Sequence, residues 1–244
     1  YWDQLVNNAF GNYRNVLQDV TLNPAMGYYL NTRGNQKENP ATGRQPDENY
    51  AREVMQLMSI GLVELNLDGT PKLDSNGKPI DSYTMNDVTN LARVFTGYDF
   101  DQSQNVPTTV PGTTRVVPNT TYTRLPMALN ASRHSTLAAT FLGTTIPANT
   151  PGTTALNMAL DTLFNHPNVG PFVCKQLIQR LVTSNPTPGY VARVASVFNN
   201  NGTGVRGDMR AVITAILLDD QARAPTGLTR LTFGKLREPM LRFV

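Results

Sequence analysis

Carboxylates and a guanidinium crowd one short stretch of the sequence, between Asp47 and Gln56. Glu48 and Arg52 are four residues apart, and Glu53 follows Arg52 directly. Side chains four residues apart on a helix lie on one flank, so the Glu48 carboxylate and the Arg52 guanidinium can form an ion pair. A glycosidase needs two acids on the same face of a cleft, whereas the five-residue step from Glu48 to Glu53 points them apart. We interpret the stretch as a structural polar network, with a catalytic site as the alternative.

The two histidines are the other residues that can carry proton chemistry. His134 can act as a general base or a metal ligand because imidazole titrates near neutral pH, although we favour a structural hydrogen bond for it. His166 precedes Pro167 at a predicted helix end, where a cation beside the last carbonyl groups has a structural role. Cys174 is the only cysteine and lies in an apolar helical stripe. We therefore expect no cofactor, and no metal ion that the fold requires.

The composition excludes several classes of protein. The 244-residue chain has a net charge of +3, and its 40 % of hydrophobic residues indicates a globular protein, although its 16 % of charged residues is below the typical ~25 %. No apolar run approaches the ~20 residues that a transmembrane helix needs. Basic residues after residue 170 are scattered singly without interleaved aromatic side chains, so we expect no nucleic-acid partner. The sequence also lacks P-loop, Rossmann, G-x-S-x-G and H-E-x-x-H motifs.

Hydrophobic spacing predicts a mainly α fold that positions these groups. Apolar residues recur three and four positions apart in eight segments, which are residues 1–10, 13–22, 47–58, 84–95, 153–164, 172–182, 190–198 and 209–218. In the helix from Asp47, this spacing predicts that Tyr50, Val54 and Leu57 are buried. Residues 31–46 are rich in Gly, Asn and Pro, which predicts a loop before this helix.

Three segments depart from helical spacing. Alternating polarity in residues 62–83, around the turn Asn76-Gly77, predicts a β-hairpin, and we find no internal repeat. Residues 99–133 are rich in Thr, Pro and Val and are too long for an ordinary connection, which predicts an extended insertion. A strand is predicted over residues 140–146. We therefore expect a single helical domain over residues 1–244, with a helical part and hairpin (1–98), an extended insertion (99–150) and a second helical part (151–244).

Several motifs occur in order along nearly the whole chain. They are Pro46–Leu57 (PDENYAREVMQL), Asn90–Tyr98 (NLARVFTGY), Arg133-His134 with Phe141-Leu142-Gly143, His166-Pro167 with Lys175-Gln176-Leu177, Gly207–Val212 (GDMRAV) and Lys235–Pro239 (KLREP). Together they resemble the bacterial family known as domain of unknown function 1800. The resemblance implies no defined activity. It implies an exported protein of larger size, so we expect this chain to be an internal fragment.

The chain departs from the pattern of that family at several polar positions. Ser135, Leu137 and Ala139 stand where many relatives carry Asp, Gly and Lys after the Arg-His pair. Gln56 stands where relatives carry a second Glu, and Asn23 stands where close relatives carry a histidine. These departures remove groups that a catalytic or metal centre of the family would use.

Two functions remain open after these observations. The first is an extracytoplasmic binding or structural component with no chemistry of its own, at the cell surface, in the periplasm or outside the cell. Its partner would be another protein or a surface, beside the rest of its own polypeptide at both ends. The alternative is a hydrolase-type enzyme whose site gathers Glu48, Arg52, Glu53 and His134. Convergence of these four in one pocket favours the enzyme, whereas scatter or complete pairing favours the binding component.

Overall fold

The computed structural model describes residues 1–104, 107–117, 120–225, 229 and 231–235 of the chain. In these residues the architecture is mainly α, as predicted, with small antiparallel sheets of two strands each. Contacts divide the chain into two compact units. Unit 1 comprises residues 1–6, 15–55 and 83–162, and unit 2 comprises residues 7–14, 56–82 and 163–244. The prediction of one domain stays a prediction, and residues 236–239 of the KLREP motif lie outside the described residues.

Ten helices run through the described residues, and eight of them overlap the segments with predicted helices. They are α1 (Trp2–Asn7), α2 (Tyr13–Thr21), α3 (Pro24–Tyr29), α4 (Asn49–Gln56), α5 (Met85–Val94), α6 (Gly152–Asn165), α7 (Val169–Leu181), α8 (Pro188–Asn199), α9 (Met209–Leu218) and α10 (Asp220–Arg223). None of them, in the part of the chain that is described, has both the length and the apolar character needed to cross a membrane.

The strands are short and pair in three antiparallel sheets within the described residues. Strand β1 (Tyr98–Asp99) pairs with β4 (Ala128–Leu129), β2 (Thr108–Thr109) pairs with β3 (Val116–Val117), and β5 (Ala139–Phe141) pairs with β6 (Thr144–Ile146). The predicted strand over residues 140–146 is thus a hairpin. Its turn is possible because Leu142 and Gly143 both adopt positive φ, at 47° and 75°.

Helix α4 contributes Tyr50, Val54 and Met55 to the core of unit 1, each at most 1 % exposed. The Tyr50 ring meets the Phe95 ring edge to face, with 4.8 Å between the ring centroids. The Tyr50 hydroxyl lies 2.7 Å from Oγ1 of Thr21, so its polar end is satisfied inside the core. Burial of these three side chains anchors the helix that carries the polar cluster.

The end of α4 corrects one sequence prediction. Leu57 was expected on the buried face of this helix but is 57 % exposed. The reason is that α4 ends at Gln56, so the helical spacing that predicts burial no longer applies one residue later. Met55 takes the buried position instead.

Helix α5 begins with a capping box that also holds the β5–β6 turn. The backbone N–H of Thr84 donates to Oδ2 of Asp87 at 2.7 Å, and the N–H of Asp87 donates to Oγ1 of Thr84 at 3.3 Å. The other oxygen of Asp87, Oδ1, accepts the N–H of Leu142 at 2.8 Å. One aspartate therefore fixes both the start of α5 and the hairpin beside it in unit 1.

Residues 62–82 form a backbone cloverleaf in unit 2, where the sequence predicts a simple hairpin. The stem is closed by the Ser82 N–H, which donates to the Leu62 carbonyl at 3.0 Å, and the two arms are residues 65–71 and 73–79. At the junction, the N–H of Glu64 donates to Ile80, the N–H of Ile80 to Lys72, and the N–H of Lys72 to Glu64, over 2.8, 3.1 and 2.8 Å. The three junction residues thus close a ring of backbone hydrogen bonds.

The two arms have similar sequences and form the same turn. Residues 65–72 read LNLDGTPK and residues 73–80 read LDSNGKPI. In each arm a glycine with positive φ completes the turn: Gly69 at 74° and Gly77 at 77°. Their N–H groups donate to the carbonyls of Asn66 and Asp74, three residues earlier, at 2.9 and 3.1 Å. Leu, Gly and Pro stand at the same positions of both arms, and the glycine makes the same turn in each.

Unit 2 also contains a half-buried arginine among aromatic rings. The Arg206 guanidinium lies 5.5 Å from the Phe164 ring centroid and 5.2 Å from that of Phe198. It donates to the carbonyls of Phe164 and His166 at 3.1 and 3.0 Å, and to the Asn199 side chain. Burial lowers the pKa of Arg206. This cation therefore serves the packing of unit 2.

Candidate functional site

Glu48 and Arg52 form the ion pair that the sequence predicts. Arg52 Nη2 lies 3.3 Å from Glu48 Oε2, and the two side chains are 37 % and 29 % exposed. The Thr89 hydroxyl on α5 donates to the other oxygen, Glu48 Oε1, at 2.7 Å. Both Arg52 terminal nitrogens also approach the Met85 sulfur, at 3.6 and 3.7 Å. Both carboxylate oxygens of Glu48 are therefore engaged within unit 1, one by Arg52 of α4 and the other by Thr89 of α5.

Glu53 does not join this pair. It is half-buried, and no hydrogen bond or ion pair of its side chain is found in the described residues. Burial raises the pKa of the Tyr83 hydroxyl. The positive charge of Arg52 opposes this increase, and the negative charge of Glu53 adds to it. The structure thus separates the two glutamates, in agreement with the five-residue step between them.

His134 is buried and held in one tautomer. Its Nδ1 lies 2.9 Å from the Thr96 carbonyl, and a carbonyl oxygen can only accept, so Nδ1 carries the hydrogen. In the neutral ring, Nε2 then carries the lone pair with which imidazole acts as a base or a ligand. Gly97, at a φ of 88°, permits this approach because a Cβ there would lie 3.1 Å from the His134 Cα.

Ser135 and Glu38 complete this second cluster, and sequence reasoning missed both. The Ser135 hydroxyl lies 3.0 Å from each carboxylate oxygen of Glu38, and its N–H donates to Thr96 Oγ1 at 2.8 Å. Ser135 follows His134 in the Arg-His motif, which was the available signal. Glu38 lies in a Gly, Asn and Pro-rich loop, and no sequence pattern there indicates a role for it. The structure gives no hydrogen bond between Ser135 and His134, so these neighbours do not form a nucleophile and base pair.

The space beside His134 and Ser135 is small. The cavity that they line with Arg93 and Leu137 has a volume of about 10 Å³. A single water molecule needs a cavity of about 10–15 Å³. Of the four candidates from the sequence, Glu48 and Arg52 therefore pair at the start of α4, His134 is bonded to the end of α5, and Glu53 joins neither group.

Candidate metal ligands do not cluster in the described residues. No three His, Cys, Asp or Glu side chains there gather closely enough to hold a metal ion. His166 is half-buried, its Nδ1 accepts the N–H of Asn168 at 3.2 Å, and burial lowers the pKa of its imidazole. Cys174 is fully buried, and burial raises the pKa of its thiol. The expected absence of a cofactor or metal stays a prediction.

A groove of about 320 Å³ lies in unit 2 between the cloverleaf and α7, and sequence reasoning missed it. Its apolar lining includes Leu62, Val63, Leu65 and Phe172, and its polar lining includes Lys175 and Gln176. One face of α7 supplies Phe172 and the residues three, four and seven positions after it, which are Lys175, Gln176 and Gln179. That spacing was the available signal, but it does not reveal which segment faces the helix.

Asn168 fixes the cloverleaf wall of this groove. Its side chain is 1 % exposed, and its Oδ1 accepts the Leu65 N–H at 2.9 Å. Its Nδ2 donates to the carbonyls of Ile60 and Val63, both at 2.8 Å. One amide side chain immediately before α7 therefore holds three backbone groups at the start of the cloverleaf.

Comparison with known proteins gives a single finding. The model of a family described as a protein of unknown function, DUF1800, matches residues 1–244. No curated protein and no solved structure matches the chain.

Proposed function

The chain belongs to the DUF1800 family, and from this premise we propose that it is an extracytoplasmic binding component with no chemistry of its own. The observation that carries the proposal is a contrast of two cavities. The groove in unit 2 is about 320 Å³, within the range of ~300–1,000 Å³ typical of ligand sites. The cavity at His134 is about 10 Å³, which leaves no room for an organic substrate.

The pairing of the polar candidates supports the same function. The Glu48 carboxylate is engaged by Arg52 and Thr89, and Glu38 is engaged by Ser135. Catalytic groups need access to a reacting atom, whereas groups bonded to each other serve architecture. The proposed role of these residues is therefore to hold unit 1 together.

Surface chemistry supports the proposed location and partners. Charged residues make up only 16 % of the chain, below the ~25 % typical of soluble proteins, and neutral Thr and Asn are abundant. Basic residues in the last third are partly engaged: Arg193 holds Asp219 through two bonds of 2.7 and 2.8 Å, and the half-buried Arg206 donates to the carbonyls of Phe164 and His166. A nucleic-acid partner is therefore not part of the proposal.

A hydrolase is the second candidate, favoured by one observation. The His134 tautomer leaves the Nε2 lone pair on the ring that lines the cavity beside the Ser135 hydroxyl. Rearrangement of Ser135 away from Glu38 would bring a nucleophile and a base into one site. Chromogenic esters, phosphate esters and glycosides test it on the full chain. Hydrolysis that is lost in both His134→Gln and Ser135→Ala, with the far-UV circular dichroism spectrum unchanged, would replace the binding proposal.

The binding proposal is tested with Nile red, a neutral dye whose fluorescence rises in apolar sites. Leu62 lines the groove and is 57 % exposed, whereas Leu73 lies on the second cloverleaf arm, outside the groove, and is 56 % exposed. Leu62→Asp and Leu73→Asp therefore make the same change at the same exposure. We expect the wild-type chain and Leu73→Asp to enhance the fluorescence and Leu62→Asp to lose most of the enhancement. Equal enhancement in both variants would show that the dye does not use the groove.

A further inference from the structure

Lys175 gives the apolar groove one positive charge without an ion-pair partner. Its ammonium donates to the Gly69 carbonyl at 3.4 Å, and no ion pair of Lys175 within 4.0 Å occurs in the described residues. The hydrogen bonds from Thr70 lower the pKa of the Asp68 carboxyl, and the positive charge of Lys175 makes a smaller contribution in the same direction. One oxygen of the Asp68 carboxylate, Oδ1, accepts both the N–H and the hydroxyl of Thr70 at 2.9 and 2.6 Å, and Asp68 forms no ion pair with Lys175.

Two glycines fix the walls of the groove before any ligand arrives. Gly61 has a φ of 72°, and a Cβ there would lie 2.7 Å from the Phe172 ring. Gly69 has a φ of 74°, and a Cβ there would lie 3.0 Å from Val191 and 3.4 Å from the Lys175 side chain. Close backbone approach thus sets the positions of both Phe172 and Lys175. A ligand that fits these positions loses little binding energy to ordering the protein.

The cloverleaf wall disfavours an extended peptide as occupant. Peptides that bind along a strand do so by pairing with free backbone groups. In residues 62–65, the carbonyls of Leu62, Val63 and Glu64 and the N–H groups of Glu64 and Leu65 are already hydrogen-bonded. A peptide backbone would therefore bury polar groups against this wall without partners, whereas a hydrocarbon chain would not.

We propose that the groove binds an unbranched aliphatic carboxylate, with its hydrocarbon chain against Phe172 and Leu62 and its carboxylate at Lys175. The inference rests on the proposed binding function and names its ligand class. At about 320 Å³ the groove has the volume of a small-molecule site, ~300–1,000 Å³, so an aliphatic chain of roughly ten carbons is a suitable length for the test. One lysine balances one negative charge, and the neighbouring Asp68 disfavours a doubly charged phosphate head group. The amide of Gln176 offers the carboxylate a further hydrogen-bond donor.

Competition with Nile red tests the head group on the full chain. Decanoate, 1-decanol, decyltrimethylammonium and decyl phosphate share one chain length and differ in charge. Decanoate is expected to displace the dye at the lowest concentration. Decanol binding as tight as decanoate binding, or decyl phosphate binding more tightly, would overturn the assignment.

Variants of Lys175 test whether its charge causes the preference of the groove for decanoate over decanol. Lys175→Met keeps the length of the side chain and removes its charge, and it should weaken decanoate binding by about tenfold or more while leaving decanol unchanged. Lys78→Met is the matched control, because Lys78 is an exposed residue of the second cloverleaf arm outside the groove. Equal weakening of decanoate in both variants would contradict the role of Lys175. Loss of Nile red binding in the groove overturns the proposed function, whereas groove binding without carboxylate preference overturns only this inference.

Discussion

Replacement of Asn168 by alanine should destabilise unit 2 through the cloverleaf rather than through lost apolar packing. The side chain of Asn168 is 1 % exposed and bonds the N–H of Leu65 and the carbonyls of Ile60 and Val63 over 2.8–2.9 Å. Each such bond contributes about 1 kcal/mol net, so Asn168→Ala should lower the free energy of unfolding by about 3 kcal/mol. Ile60 is fully buried, and its unsatisfied carbonyl can raise the loss toward about 5 kcal/mol.

A second variant separates hydrogen bonding from shape. Asn168→Asp keeps the size of the side chain and the acceptor for Leu65, but it turns an oxygen toward two carbonyls. We expect a loss of stability at pH 7 at least as large as that of Asn168→Ala. Protonation restores a donor, so the folded-state pKa of the new carboxyl is raised above its unfolded value of about 3.9. The loss should therefore be smallest below about pH 4 and should grow as the pH rises through the folded-state pKa.

Urea unfolding followed by far-UV circular dichroism measures these losses. Asn15 is an exposed residue of α2, so Asn15→Ala makes the same chemical change without burial and should alter stability by less than about 0.5 kcal/mol. If Asn168→Ala lowers the free energy of unfolding by less than about 1 kcal/mol, the three bonds do not hold the cloverleaf and the reasoning is refuted. A pH-independent loss in Asn168→Asp would refute the assignment of the donor.

Two further predictions concern the core and the acid range. Met55→Ala should lower the free energy of unfolding by about 2–5 kcal/mol because Met55 is 0 % exposed, whereas Leu57→Ala, at 57 % exposure, should change it by under about 0.5 kcal/mol. Similar midpoints in chemical denaturation would contradict this placement. Hydrogen bonds from Arg193 lower the pKa of Asp219 below its ordinary 3.8, so this carboxylate stabilises the fold above that pH and loses its effect as the pH falls through the folded-state pKa. Thermal midpoints should therefore fall less on acidification for Asp219→Asn than for the wild type, and parallel curves would count against the pair.

Local patterns predict what depends on neighbours along the chain. The pair between Glu48 and Arg52 is confirmed at 3.3 Å because four-residue spacing on a helix is sufficient to bring the two side chains together. The capping box at Thr84 is a local feature of the same kind, since its partner Asp87 is three residues away. The prediction that Leu57 is buried is wrong because the spacing does not specify where the helix ends.

Contacts between distant residues could not be predicted in this way. Ser135 and Glu38 are 97 residues apart in the sequence, and Asn168 is 103 residues from Leu65. Nothing in the spacing of a loop residue or of a residue before a helix names a partner at such a distance. The groove escaped prediction for this reason, because its two walls come from separate parts of unit 2.

The ring at the cloverleaf junction has a consequence for association between chains. Strand-like backbone with unpaired N–H and carbonyl groups can recruit another strand, which is a common route to aggregation. In the ring, Glu64, Lys72 and Ile80 each donate one backbone hydrogen bond and accept one, so none of them offers a free edge. The segment therefore exposes apolar residues such as Leu67 and Leu73, at 44 % and 56 %, without also presenting an edge at its junction along which neighbouring chains could stack.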